Sequence, residues 1–167
     1  MSHTEHRAAA PSHIRCYVIT VSDSRTEDTD TGGRLLRELL TEGGHLVLGH
    51  TIVRDDPVIL RAAIERQLNM SEVQAVITTG GTGISRRDGS YEVVTELLDK
   101  RLDGFGELFR SLSFAEIGPS AMLSRACAGT ARGKILVSLP GSQNAVRLGL
   151  TKLILPELGH LVREVTR

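Results

Sequence analysis

Tryptophan is absent from these 167 residues and aromatic side chains make up only 3% of them. The stacking platforms that hold single-stranded nucleic acid are therefore missing. An excess of one charge is missing too, because 20 basic residues balance 20 acidic ones. No global field draws the chain to nucleic acid or to an anionic membrane. Cysteine is scarce: Cys16 and Cys127 stand far apart, with no C-x-x-C spacing and no Cys/His cluster, so neither a disulfide framework nor a zinc site is expected. Cys16 lies inside an apolar run and reads as a buried small hydrophobe. No apolar run approaches the ~20 residues of a membrane span, and Met1 to Ser12 lacks the apolar heart of a signal peptide. The expectation is a soluble cytoplasmic protein with a loose tail over 1–13 and one domain over 14–167. A chain of this length buries about 70% of the surface exposed when unfolded.

What the chain does contain is an alternation of strand and helix signals. Ile14 to Val21, Leu46 to Val53, Val73 to Ile77 and Ile135 to Leu139 are near-continuous apolar runs rich in β-branched residues, as expected of parallel strands covered on both faces. Between them, Leu35, Leu36, Leu39 and Leu40 recur at helical spacing and Gly43-Gly44 ends that helix. A second helix carries Val58, Ile59, Ala62 and Ala63, with Asp56 as cap and Pro57 at its first position. A third spans roughly Ser90 to Lys100. Gly104 to Ala128 reads as a mixture of short helices, and Pro156 as a kink or restart in the last helix. The alternation predicts an α/β protein of three α/β/α layers around a doubly wound, mostly parallel sheet.

In such sheets ligands bind beyond the carboxyl ends of the strands, where four polar loops fall. Ser22-Asp23-Ser24-Arg25 follows the first strand and Arg54-Asp55-Asp56 the second. Thr79-Gly80-Gly81-Thr82-Gly83 follows the third, then Arg86-Arg87-Asp88; Pro140-Gly141-Ser142 follows the fourth. Glycines let backbone N–H groups approach a phosphate, Thr82 adds a hydroxyl, and a helix start adds partial positive charge. The loop is neither a Walker motif nor a dinucleotide fingerprint. Ser90 is placed to cap the third helix, which would free Asp88, just as Asp56 would free Asp55. Two carboxylates from separate loops suit Mg²⁺, which takes carboxylate, phosphate and water oxygens. Asp30-Thr31-Gly32-Gly33 satisfies ordinary helix capping equally well. The six histidines are dispersed and none pairs with a serine or cysteine as a nucleophile's base would.

The order Thr79-Gly80-Gly81-Thr82-Gly83, Arg87-Asp88, Gly104-Phe105-Gly106-Glu107 and Leu139-Pro140-Gly141-Ser142 resembles the MoaB/MogA family of molybdenum cofactor biosynthesis proteins. Phe109 to Phe114 and the ending after Leu-Pro-Glu-Leu resemble MoaB more than MogA. The resemblance implies a molybdopterin-binding fold, trimers or hexamers, and molybdopterin as substrate. It further implies adenylylation of that pterin with Mg-ATP, releasing pyrophosphate. Carried over by position, it makes Asp55 and Asp88 the catalytic, Mg²⁺-holding aspartates and Gly80 to Gly83 the phosphate loop. Thr79, Arg87, Ser90, Ser22, Asp23, Glu107, Pro140, Gly141 and Ser142 become further pocket positions. Other cofactor-biosynthesis proteins are implied as partners, and nucleic acid and membrane are not. The chain departs from the family's usual Val-Thr-Pro-Glu after Arg-Asp, reading Gly89-Ser90-Tyr91-Glu92, so the backbone beside Asp88 is expected to be freer. A molybdopterin carrier without catalysis is the alternative of the same family, and an unrelated phosphotransferase on the same fold is the alternative outside it.

Overall fold

The computed structural model of the chain describes residues 2–167; Met1, the first residue of the expected tail, lies outside them. The strands are β1 (Arg15–Val21), β2 (Leu46–Val53), β3 (Ala75–Thr79), β4 (Lys100–Arg101), β5 (Cys127–Ala131) and β6 (Lys134–Leu139). They form one sheet in the order β2-β1-β3-β6-β5-β4. β2, β1, β3 and β6 are mutually parallel, whereas β5 runs antiparallel to β6 and β4 antiparallel to β5.

Side chains alternate between the two faces of each strand, and both faces are apolar. On one, Cys16 and Val18 of β1, Ala75 and Ile77 of β3 and Ile135 and Val137 of β6 form one core. Helices α2 (Thr31–Glu42), α5 (Asp103–Ile117), α6 (Gln143–Gly149) and α7 (Leu155–Val165) cover it. On the other, Ile19, Val21, Val76 and Leu136 pack against α3 (Pro57–Leu68) and α4 (Ser90–Leu97). The three expected layers are present, and so is the doubly wound order. β1 is followed by α2 on one face, and its neighbour β3 by α4 on the other, so the chain diverges between β1 and β3 at their carboxyl ends. A crevice opens at that switch point.

Two local expectations change. His3–Ala8, within the stretch read as a loose tail, forms a short helix, α1, closed by a Ser2–Glu5 capping box. Arg7 ties it to the Pro156 carbonyl at 3.0 Å and to Glu157 at 2.8 Å. The stretch read as short helices contains the 15-residue α5, a 3-10 segment at Gly118–Leu123, and then β5. β5 was hidden because Cys-Ala-Gly-Thr-Ala has small side chains and weak strand preference. The last helix restarts at Pro156, one of the two outcomes expected there. A π-type turn at Leu150–Ile154 precedes α7, whose first turn holds that proline, where its missing N–H costs little. Cys16 is fully buried, as expected, and burial pushes its thiol up to about 12. No described helix is long and apolar enough to cross a membrane.

Candidate functional site

β3 ends in two buried threonines, and the chain then turns through glycines that only glycine accommodates. Gly80 has φ +101° and Gly81 φ +71°. A Cβ on Gly80 would stand 2.2 Å from the Val21 carbonyl oxygen, and one on Gly81 2.4 Å from Ser90 Oγ and 2.9 Å from Asp55 Oδ2. The loop is thus pressed against β1 on one side and against the second aspartate loop on the other. Gly80 N–H donates to the Leu139 carbonyl and Thr79 Oγ1 to the Pro140 carbonyl, both at 2.9 Å. These two bonds join the β3 and β6 loops. Ser142 caps α6 through the Ala145 amide. Together with Thr20, Ser22, Arg25, Asp30 and Gly32, the residues Thr79, Gly80, Gly141 and Ser142 line a cavity of about 340 Å³. A wider hollow of about 440 Å³ follows Arg34, Arg37 and Glu38 on the outer face of α2. No loops from strand ends converge there, so the smaller cavity marks the site.

Beside the glycine loop stands an acidic group built from three loops. Asp55 is only 7% exposed. Its Oδ1 accepts the Gly89 N–H at 3.2 Å, and its own N–H donates to Asp23 Oδ1 at 3.1 Å. Burial pushes the Asp55 carboxyl above the ordinary range, and the negative charges of Asp88 and Asp23 push the same way against the Gly89 bond and Arg87. Arg87 clasps Asp23 with Nε and an Nη, both at 2.9 Å. That clasp, with the Asp55 amide, holds the exposed Asp23 carboxyl below its usual range. Asp56 caps α3 through the Val58 and Ile59 amides at 2.9 and 3.1 Å, which leaves Asp55 to the site as the sequence predicts.

Three sequence expectations change here. Ser90 caps nothing: α4 has Gly89 as its N-cap with no side-chain bond. Fully buried Ser90 Oγ donates instead to the Gly80 carbonyl at 2.8 Å, so it fastens the glycine turn. Asp88 is engaged as well, its Oδ2 accepting the Ser85 N–H at 2.9 Å. Glu107 is exposed on α5 and does not line the cavity. The other predicted positions meet at the carboxyl edge of the sheet.

The sequence reading missed a buried polar knot beneath the cavity. Thr20 Oγ1 donates to Asp30 Oδ2 at 2.6 Å and lies 2.9 Å from His50 Nε2, which is 3.2 Å from Asp30. Asp30 Oδ1 meanwhile accepts the Gly33 N–H at 2.9 Å and so caps α2. Burial first, then Arg37, lowers the His50 pKa against the pull of Asp30 and Glu27. A histidine inside an apolar strand was the available signal. Asp23, Asp55 and Asp88 do not form a tight three-ligand cluster. Among the described residues that distinction belongs to His3, Glu157 and His160, within 4.8 Å of one another on α1 and α7.

Comparison with known proteins shows the family of the chain. The family described as "Probable molybdopterin binding domain" matches residues 17–160. Molybdenum cofactor biosynthesis protein B of Bacillus cereus is 52% identical over 168 residues, covering 100% of this chain and 99% of its own. A crystal structure of a molybdenum cofactor biosynthesis protein B, 52% identical, superposes with a TM-score of 0.90 over 93% of this chain and 98% of that one. The tungsten cofactor synthesizing protein MoaB of Pyrococcus furiosus, 39% identical, gives 0.81 over 95% and 100%. Matched along nearly its whole length in sequence and in fold, this chain belongs to the MoaB/MogA family of molybdenum cofactor biosynthesis proteins, on the MoaB side.

Proposed function

We propose that the loop cluster binds molybdopterin and joins it to AMP, using Mg-ATP and releasing pyrophosphate. One observation carries this reading. A buried carboxylate, Asp55, stands against a glycine loop suited to phosphate, with Asp88 and Asp23 close enough to raise its pKa. Such a group accumulates negative charge where an anionic substrate would sit, and a divalent cation reconciles the two. The donors are carboxylate oxygens, which fit Mg²⁺, and Asp55 and Asp88 would hold it. When bound, Mg²⁺ would supply charge neutralisation for the triphosphate.

The chain's own groups then position and shield. Among the described residues, the amides of Gly81, Thr82 and Gly83 make no hydrogen bond within the chain and are available to phosphate oxygens. A molybdopterin phosphate oxygen, already ionised at neutral pH, bonds to the α-phosphorus of ATP. The bond from that phosphorus to the bridging oxygen breaks, and its electron pair leaves on pyrophosphate. No protein nucleophile or general base is required, so catalysis is placement plus electrostatics. Arg87 can offset developing charge only by sharing its fork with Asp23, which it clasps.

Incubating the purified protein with molybdopterin and Mg-ATP, and assaying pyrophosphate and adenylylated pterin, tests the reading. Asp55→Ala and Asp88→Ala should lose turnover and keep pterin binding; full activity in either removes the metal role. A carrier without catalysis is the second reading, favoured by the Asp88 oxygen already committed to the Ser85 amide. It predicts pterin affinity with no ATP consumed. The reading includes self-association as a trimer or hexamer. Its support is the apolar surface of α5 and the following 3-10 segment, where Leu108, Phe114, Ile117 and Met122 are 55–73% exposed. A cytoplasmic location and contact with other cofactor-biosynthesis proteins complete the proposal.

A further inference from the structure

We propose that Arg125 is the positioning residue that sets the Gly83–Asp88 loop, and through it the Asp88 carboxylate, and that Tyr91 holds Arg125 for this task. The inference rests on the reading of Asp88 given above and adds a residue to which no part in the site has been assigned. The loop has little structure of its own. Its internal ties are the Ser85 N–H to Asp88 Oδ2 bond, 2.9 Å, and the Asp88 N–H to Ser85 carbonyl bond, 3.1 Å. Gly89 adds backbone freedom at the loop's end.

Arg125 stands in the link between the 3-10 segment and β5 and straps both ends of the loop. Its N–H donates to the Thr82 carbonyl at 3.0 Å. Its Nε donates to the Gly83 carbonyl at 3.0 Å and Nη2 to the Asp88 carbonyl at 3.3 Å. Its Nη1 engages the Glu92 carboxylate, which holds that carboxyl below its ordinary range. One planar fork thus serves the start of the loop, its end and the first turn of α4. Only guanidinium offers so many donors at fixed angles; an ammonium cannot reproduce them.

The fork is itself held. The Tyr91 ring lies against it, with Arg125 Cζ 5.2 Å from the ring centroid, a cation–π distance. Arg101 Cζ lies 5.7 Å from that centroid, and Arg101 Nη2 donates to the Tyr91 hydroxyl at 2.8 Å. Tyr91 stands in the first turn of α4, directly after the loop. The loop's stiffness is supplied from outside it, by the ring and the arginine together.

The test compares Arg125→Gln and Arg125→Lys with the parent by amide hydrogen exchange and by steady-state kinetics. Exchange of the Ser85 to Gly89 amides should rise about tenfold in both variants, with β1 and β3 little changed. The kcat should fall roughly 100-fold, as for a catalytic group misplaced by about 1 Å. Molybdopterin Kd should hold, and lysine should fare no better than glutamine. Unchanged loop exchange, or unchanged kcat in a loop that has loosened, overturns the proposal. If the parent itself makes no adenylylated pterin, the adenylyl-transfer reading fails and the exchange result alone decides whether Arg125 sets the loop. Should both arginine variants fail to fold, Tyr91→Leu takes their place, with a smaller rise in the same amides expected and no rise overturning the role of the ring.

Discussion

Gly81→Ala is the sharpest probe of how the glycine loop is built. The substitution forces an L-residue to hold φ near +71°, which costs roughly 1–2 kcal/mol. The new methyl would lie 2.4 Å from Ser90 Oγ, so the hydroxyl must leave its 2.8 Å bond to the Gly80 carbonyl. Leaving a buried acceptor unpaired adds about 1–3 kcal/mol. A total of about 2–5 kcal/mol is a large part of the ~5–15 kcal/mol that stabilises a domain. It corresponds to a fall in Tm of roughly 5–20 °C for a chain of this size. Thermal and urea unfolding of Gly81→Ala, Ser90→Ala and the double variant make a cycle. The double variant should cost clearly less than the two singles together, because the same hydroxyl bond is lost in each. A Gly81→Ala protein whose Tm lies within about 1–2 °C of the parent would refute both the left-handed turn and the contact with Ser90.

Asp55→Asn should separate stability from function. The carboxyl titrates above its ordinary value of 3.8, chiefly from burial and then from Asp88 and Asp23. Ionised Asp55 therefore costs stability at pH values above its folded pKa, and that cost vanishes below the unfolded one. The amide can still accept the Gly89 N–H, so the variant should be at least as stable as the parent at pH 7. Its advantage should shrink as the pH falls toward 4 in unfolding measurements. ATP-dependent turnover should be lost in the same protein, and a destabilised Asp55→Asn at neutral pH would contradict the assignment. Phe114→Glu, on the exposed apolar face of α5, should weaken self-association by roughly 100-fold or more through a buried unpaired charge. Sedimentation velocity reads this, and an unchanged oligomer would move the interface elsewhere.

Much of the scaffold is legible in the chain alone because it rests on local periodicity. Apolar runs of five to seven residues, here β1, β3 and β6, can satisfy both faces only inside a covered parallel sheet, whereas the apolar run of β2 lies at the edge and keeps Leu46 and Leu48 exposed. Asp56-Pro57 and Gly43-Gly44 act within one turn of chain, so their capping roles follow from spacing. The convergence of Asp55, Gly80 to Gly83 and Gly141-Ser142 on one edge is likewise a consequence of strand order and of where loops must emerge. Tertiary structure decided what each polar group does once it arrives there. Ser90 is spaced like a cap, yet Gly80 offers a buried carbonyl 2.8 Å away that no local pattern announces. Thr20, Asp30 and His50 are 10 to 30 residues apart and became one knot only when β1 and β2 paired. The hold of Arg125 on Asp88 spans 37 residues. Periodicity reports which face a side chain takes; hydrogen-bond partners and buried charge depend on neighbours that only folding supplies.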